Sequence, residues 1–151
     1  MSTTQYTAMD IANWFLEYNS FLRDFIGEDT DNISNLKLQK LLYYAEGSFL
    51  ALRDQSLFPE PIVAWKHGPV VESVYHAFKE NGSSGIESFE EVSIDPDTEA
   101  VLKQVYDVFG KYSAWGLREL THQEDPWKNA EQSGNISRDD IKKYFKEHYV
   151  A

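Results

Sequence analysis

The chain has no cysteine. That excludes a disulfide scaffold and any thiolate-bound metal centre, and it fits a reducing compartment such as the cytoplasm. Cations are scarce too, with 14 Lys and Arg against 25 Asp and Glu in 151 residues and a formal net charge of −11. Affinity for DNA or RNA comes largely from cations displacing counterions at phosphates, so a nucleic-acid partner is disfavoured. A stretch without Lys or Arg runs from Glu80 to Leu102 and carries seven acidic residues. A basic protein partner suits such a chain, although acidity also serves solubility alone. No apolar run approaches the roughly 20 residues of a membrane span. Met1-Ser2-Thr3-Thr4-Gln5 shows no basic-then-apolar signal pattern. The expectation is a soluble cytoplasmic protein with no membrane association.

Motifs of chemistry are also missing. The four histidines, His67, His76, His122 and His148, form no His-Glu-x-x-His pair. There is no nucleophile elbow, Walker loop or dinucleotide-binding glycine pattern. His122-Gln123-Glu124-Asp125 offers an acid–base pair on paper. The simpler expectation makes Asp125 a helix cap and leaves Glu124 in solvent. His67 and His122 lie beside Trp65 and Trp127, where ring nitrogens commonly satisfy loop carbonyls. No enzyme activity and no cofactor are expected.

What is present is helical periodicity and aromatic mass. A length of 151 residues makes about one domain, read as a single unit over 1–151. Thr7 opens a first helix with Asp10 in capping-box position and Ile11, Ala12, Phe15, Tyr18 and Leu22 on its apolar face. Phe21, Phe25 and Ile26 suggest a buried continuation up to Gly27, followed by the polar loop Glu28-Asp29-Thr30-Asp31-Asn32. Ser34 or Asn35 caps a second helix from about Leu36 to Leu52. That helix is apolar on most of its circumference, which marks a central element buried on most sides. Lys37, Gln39 and Lys40 interrupt it within two turns. Cations there oppose the helix dipole, so nothing local favours them.

The junction Trp65-Lys66-His67-Gly68-Pro69-Val70 organises the middle of the chain. Ile62 to Trp65 reads as a short strand. Pro69 suits a first helical position, and Val71, Val74, Tyr75 and Phe78 give one helical face that stops at Gly82. Val92 and Ile94 alternate and could pair with the earlier strand in a two-stranded ribbon. Asp95-Pro96, Ser113, Asp125-Pro126 and Ser137 open four further helices. The fold class is therefore all-α: a compact domain of six to seven helices around a buried central helix, with room for a minor two-stranded β-ribbon. The four tryptophans invite an interface reading, but each could equally pack helices together.

Leu36-Lys37-Leu38-Gln39-Lys40-Leu41-Leu42-Tyr43-Tyr44-Ala45, Pro61 and Ala64-Trp65-Lys66-His67-Gly68-Pro69-Val70 with Val74-Tyr75 resemble the Panacea domain, the SocA-like or phage-associated GepA family. Tyr112-Ser113-Ala114-Trp115, Leu117, Leu120-Thr121-His122, Asp125-Pro126-Trp127 and Ile136-Ser137 continue the resemblance. His67 stands where the family often has Tyr. The resemblance implies a largely helical antitoxin that neutralises a toxin encoded by a neighbouring gene through direct binding. One branch of the family instead delivers its toxin to the ClpXP protease. From the residues themselves, the expected toxin-binding patch is Lys37, Gln39, Lys40, Trp65, Lys66 and His67, with His122 and Trp127.

Overall fold

The computed structural model describes residues 6–27 and 31–150. Within them the regular structure is helical apart from one hairpin, with irregular connections over 54–62, 82–95 and 129–137. The helices are α1 (Ala8–Phe21), α2 (Asn35–Arg53), α3 (Glu72–Phe78), α4 (Pro96–Phe109), α5 (Ala114–His122), α6 (Asp125–Lys128) and α7 (Arg138–His148). The strands are β1 (Val63–Trp65) and β2 (Gly68–Val70). Packing is centred on α2, which touches α1, α3, α4, α5, α7 and β2.

The helix starts follow the capping residues. Thr7 and Asp10 close a reciprocal capping box, and Ser34, Asp95, Ser113 and Ser137 each accept a backbone N–H at N2 or N3. Each such cap is worth about 1 kcal/mol, enough to fix a boundary in a marginally stable domain. Leu38, Leu41, Leu42, Tyr43, Tyr44 and Ala45 of α2 are fully buried. The Phe145 ring of α7 lies directly on the α2 backbone at Gly47, where an added Cβ would collide with it. A Gly47→Ala variant is therefore expected to lose about 1–3 kcal/mol by overpacking, although alanine has the better helix propensity. Chemical denaturation checks this; an unchanged midpoint would mean that the ring moves freely.

The periodicity misplaced three elements. Pro69 does not begin a helix: it lies in β2, and α3 starts only at Glu72. β1 pairs with β2 across the two-residue turn Lys66-His67, not with Val92 and Ile94, which form no strand. The reason is local. Gly68 takes φ +112°, which turns the chain back on itself. Pro69 stands opposite Ala64, whose backbone N–H and C=O pair with Gly134 and Ser133 on the far side of β1. At this position β2 needs no ladder donor, so proline is tolerated. The third difference is Phe21, Phe25 and Ile26. They are exposed, Phe25 by 78%, on α1 and the π-helical turn Leu22–Ile26 that follows it. Leu52 is also exposed, at the end of α2. Gly27 does end the turn, in a left-handed conformation; Glu28, Asp29 and Thr30 of the expected polar loop lie outside the described residues.

Candidate functional site

Of the residues expected to form one patch, all but Lys37 converge, on two sides of the same wall. Gln39 and Lys40 are on the inside. The Lys40 side chain is wholly buried, and its Nζ donates to the Pro69 carbonyl at 2.8 Å. The Gln39 Oε1 accepts from the Val71 N–H at 2.9 Å, and its Nε2 donates to Asn35 Oδ1. These two side chains serve the open edge of the hairpin, where backbone groups would otherwise be buried without partners. Neither reaches the surface. Burial drives the Lys40 ammonium down to about 7, with the nearby Arg118 charge adding to the effect. Lys37 is half-buried and donates to the Gly110 carbonyl at 2.7 Å. Gly110 is the C-cap of α4, where a cation complements the helix dipole. The cation that seemed misplaced at the start of α2 is thus well placed at the end of another helix.

The remaining expected residues are on the outside. Lys66 and His67 form the exposed hairpin tip. The Trp65 carbonyl accepts from Trp127 Nε1 at 2.8 Å. Trp127 in turn stacks on His122 with ring centroids 3.9 Å apart and planes 6° from parallel. The hairpin is thereby fastened to α5 and α6. Gly68 is required for the same closeness: a Cβ there would sit 2.7 Å from Lys40 Cε and 2.8 Å from Thr121 Oγ1. Partial desolvation, then the cationic surroundings led by Arg118, hold His67 and His122 below the usual imidazole range. Both rings are therefore neutral at physiological pH.

Two features of the surface were not foreseen. Arg118 donates from Nε to His67 Nδ1 at 2.9 Å, pairs with Glu119, and lies over the Trp115 ring at 4.2 Å. Trp115 itself is 55% exposed. Behind the hairpin, a groove of about 510 Å³ is bounded by Trp65, Lys66, His67, Tyr75, Lys79 and the loop at Gly82. The periodicity of α3 gave no hint of this groove, because β2 displaces the helix start and opens the space. Among the described residues no cluster of three or more His, Asp or Glu side chains has the geometry to hold a metal ion.

Glu124 is the largest departure from expectation. It does not lie in solvent; it is fully buried, and it accepts hydrogen bonds from the hydroxyls of Tyr43 at 2.9 Å, Tyr44 at 3.0 Å and Tyr149. Burial raises its carboxyl above the usual range, and the hydroxyl donors, Tyr149 foremost, partly offset that. Burial also raises Tyr43 and Tyr44, with the Glu124 charge adding to it. Adjacent tyrosines on a buried helix require an acceptor for their hydroxyls. That requirement was the available signal, but nothing local said which acceptor would meet it.

With this geometry in place, the comparisons bear directly on family. The model of the SocA-like antitoxin family, Panacea domain, matches residues 38–128, from the first turn of α2 through the hairpin to the end of α6. The chain belongs to the SocA-like Panacea family. This Panacea chain is also 35% identical over 109 residues to the Antitoxin SocA of Caulobacter vibrioides, covering 63% of its own length and 58% of that protein. It thus spans little more than half of its curated relative. No solved structure matches it. The family match encloses Lys40, Gly68, Glu124 and Trp127, so the wall described above belongs to the shared domain.

Proposed function

We propose that this Panacea protein is the antitoxin of a toxin–antitoxin pair and neutralises its toxin by direct binding, without enzymatic chemistry of its own. The observation that carries this reading is the family match over the hairpin wall, together with the relative named as an antitoxin. A neutraliser needs a firm scaffold and an accessible complementary surface. The scaffold is the α2-centred core. The surface is the hairpin face, where Trp65, Lys66, His67, His122 and Trp127 stand beside exposed Trp115 and the largely covered Arg118. Aromatic and arginine side chains at a rigid surface are the usual carriers of binding energy. Gln39 and Lys40 support that face from behind, whereas Lys37 bonds the end of α4.

The test is co-expression. Each immediate genomic neighbour is induced in a bacterial host with and without this protein, and growth is followed. The expected result is one toxic neighbour whose toxicity is relieved and which co-purifies with this chain at fixed stoichiometry. Relief without a stable complex, and lost in a host without ClpXP, would overturn neutralisation by binding in favour of delivery to that protease. The absence of any toxic neighbour would remove the antitoxin role itself.

A further inference from the structure

The groove behind the hairpin differs in charge from the rest of the molecule. The chain carries 25 acidic residues, yet none of the groove's described lining residues is Asp or Glu. Two lysines, Lys66 and Lys79, line it instead, and neither forms an ion pair with a described residue. Its aromatic wall is the Trp65–Tyr75 pair, with ring centroids 4.9 Å apart at 76°. The amides of Gln39 and Asn35 at its floor are already spent on the protein, on Val71 and on the Tyr75 carbonyl. What the groove offers an occupant is therefore apolar wall and ammonium groups, with no carboxylate to compete for them.

We infer that this groove is the docking site for a short acidic segment of the toxin, one that sets a carboxylate beside an apolar or aromatic side chain. The proposal rests on the antitoxin reading and names the part of the toxin that is gripped. The aromatic wall takes the apolar side chain, and Lys66 and Lys79 take the carboxylate. The segment is short because the chain as a whole carries a net charge of −11, which repels a longer anionic run. A rigid, concave, largely preformed site with a few charged groups at its rim is the form in which such side chains are captured. The strength of capture falls with salt, since both lysines are solvent-exposed.

The experiment has two arms, both with the full chain. In the first, the peptide acetyl-Glu-Phe-Asp-amide is titrated into isotopically labelled protein and followed by amide and indole NMR. The expected result is a saturable shift of the Trp65 indole N–H and the amides around Lys66, Lys79 and Ser83, weaker in high salt. Acetyl-Lys-Phe-Lys-amide is expected to give no such shift. The doubly substituted K66E/K79E protein, altered only at exposed positions, is expected to keep its melting temperature and to bind the acidic peptide at least about tenfold more weakly. Equal shifts with the basic peptide, or no shift at Trp65, would overturn the proposal. Saturation by inorganic phosphate or AMP with none by the peptide would also overturn it, in favour of a small-anion site. In the second arm, K66E/K79E is tested for growth rescue against the toxic neighbour. Rescue by the wild type but not by the variant supports the groove. Equal rescue by both overturns the groove alone and leaves the antitoxin reading standing. Failure of the wild type to rescue any neighbour overturns the antitoxin reading, while the peptide titration still decides the groove.

Discussion

Replacing Glu124 with alanine is expected to destabilise the domain by about 3–5 kcal/mol, a large part of the 5–15 kcal/mol typical of a domain. The carboxylate accepts three tyrosine hydroxyls, and those of Tyr43 and Tyr44 are buried. Losing it strands two buried donors, each at about 1–3 kcal/mol, and leaves a void beside them. Tyr149 is partly exposed and can turn to water. Glu124→Gln preserves volume and one acceptor and should cost less. It should also change the pH dependence. A carboxyl raised on folding holds its proton in the native state above the pH at which the unfolded chain releases it. Stability from this group is therefore full at low pH and declines as pH rises from the ordinary glutamate value through the raised one. Glu46, raised by burial despite its ion pair with Arg138, contributes with the same sign. Denaturation of wild type and E124Q between pH 4 and 7 reads this directly. Equal slopes in the two proteins would show that Glu124 does not titrate differently on folding.

Lys40→Met is expected to abolish a stability gain that the wild type shows between about pH 7 and 9.5. The ammonium titrates near 7 in the folded protein against an ordinary value of 10.5. In that window the unfolded chain holds the proton and the native chain has released it, so wild-type stability rises with pH and is flat below 7. Holding the buried ammonium charged below pH 7 therefore costs on the order of 5 kcal/mol. Above pH 10 the raised tyrosines act in the opposite sense, which sets the upper limit of the measurement. Methionine fills the same space without the charge but abandons the Pro69 carbonyl, so near pH 7 the two effects should largely cancel. Lys40→Glu, by contrast, sets a buried carboxylate against a carbonyl oxygen and should prevent folding. A Lys40→Glu protein that melts normally, or a Lys40→Met protein with the wild-type slope, would refute this account. Loss of toxin binding in either variant would reflect the hairpin it supports, because Lys40 has no surface of its own.

The two predictions share a cause. Both concern polar groups in the apolar centre of the molecule, and both groups are there because distant segments leave backbone or hydroxyl groups in need of partners. This is where sequence inference stopped. Thr7, Ser34, Asp95, Ser113 and Ser137 were legible because a cap acts within three residues of itself. Leu38, Leu41, Leu42 and Ala45 were legible because burial repeats with the helical period. Gly68-Pro69 was misjudged because proline suits both a helix start and a strand position without a ladder donor. Gly68 at φ +112° and the pairing of Ala64 with the segment at Ser133 and Gly134 together favour the strand. Phe21 and Phe25 were misjudged because apolar type alone does not say whether another element covers them.

The sequence by itself determined the family, the all-α class, the helix starts capped at Thr7, Ser34, Asp95, Ser113 and Ser137, and the acidic character of the chain, since those depend on composition and on interactions within a few residues. The tertiary structure alone decided which of Lys37, Gln39, Lys40, Lys66, His67, Glu124 and Trp127 face the surface and which hold the wall from behind. Polar side chains carry no periodic signature of burial. Their place is set by whichever unpaired group the fold brings within hydrogen-bond reach, and here those groups come from residues about 30 to 80 positions away along the chain.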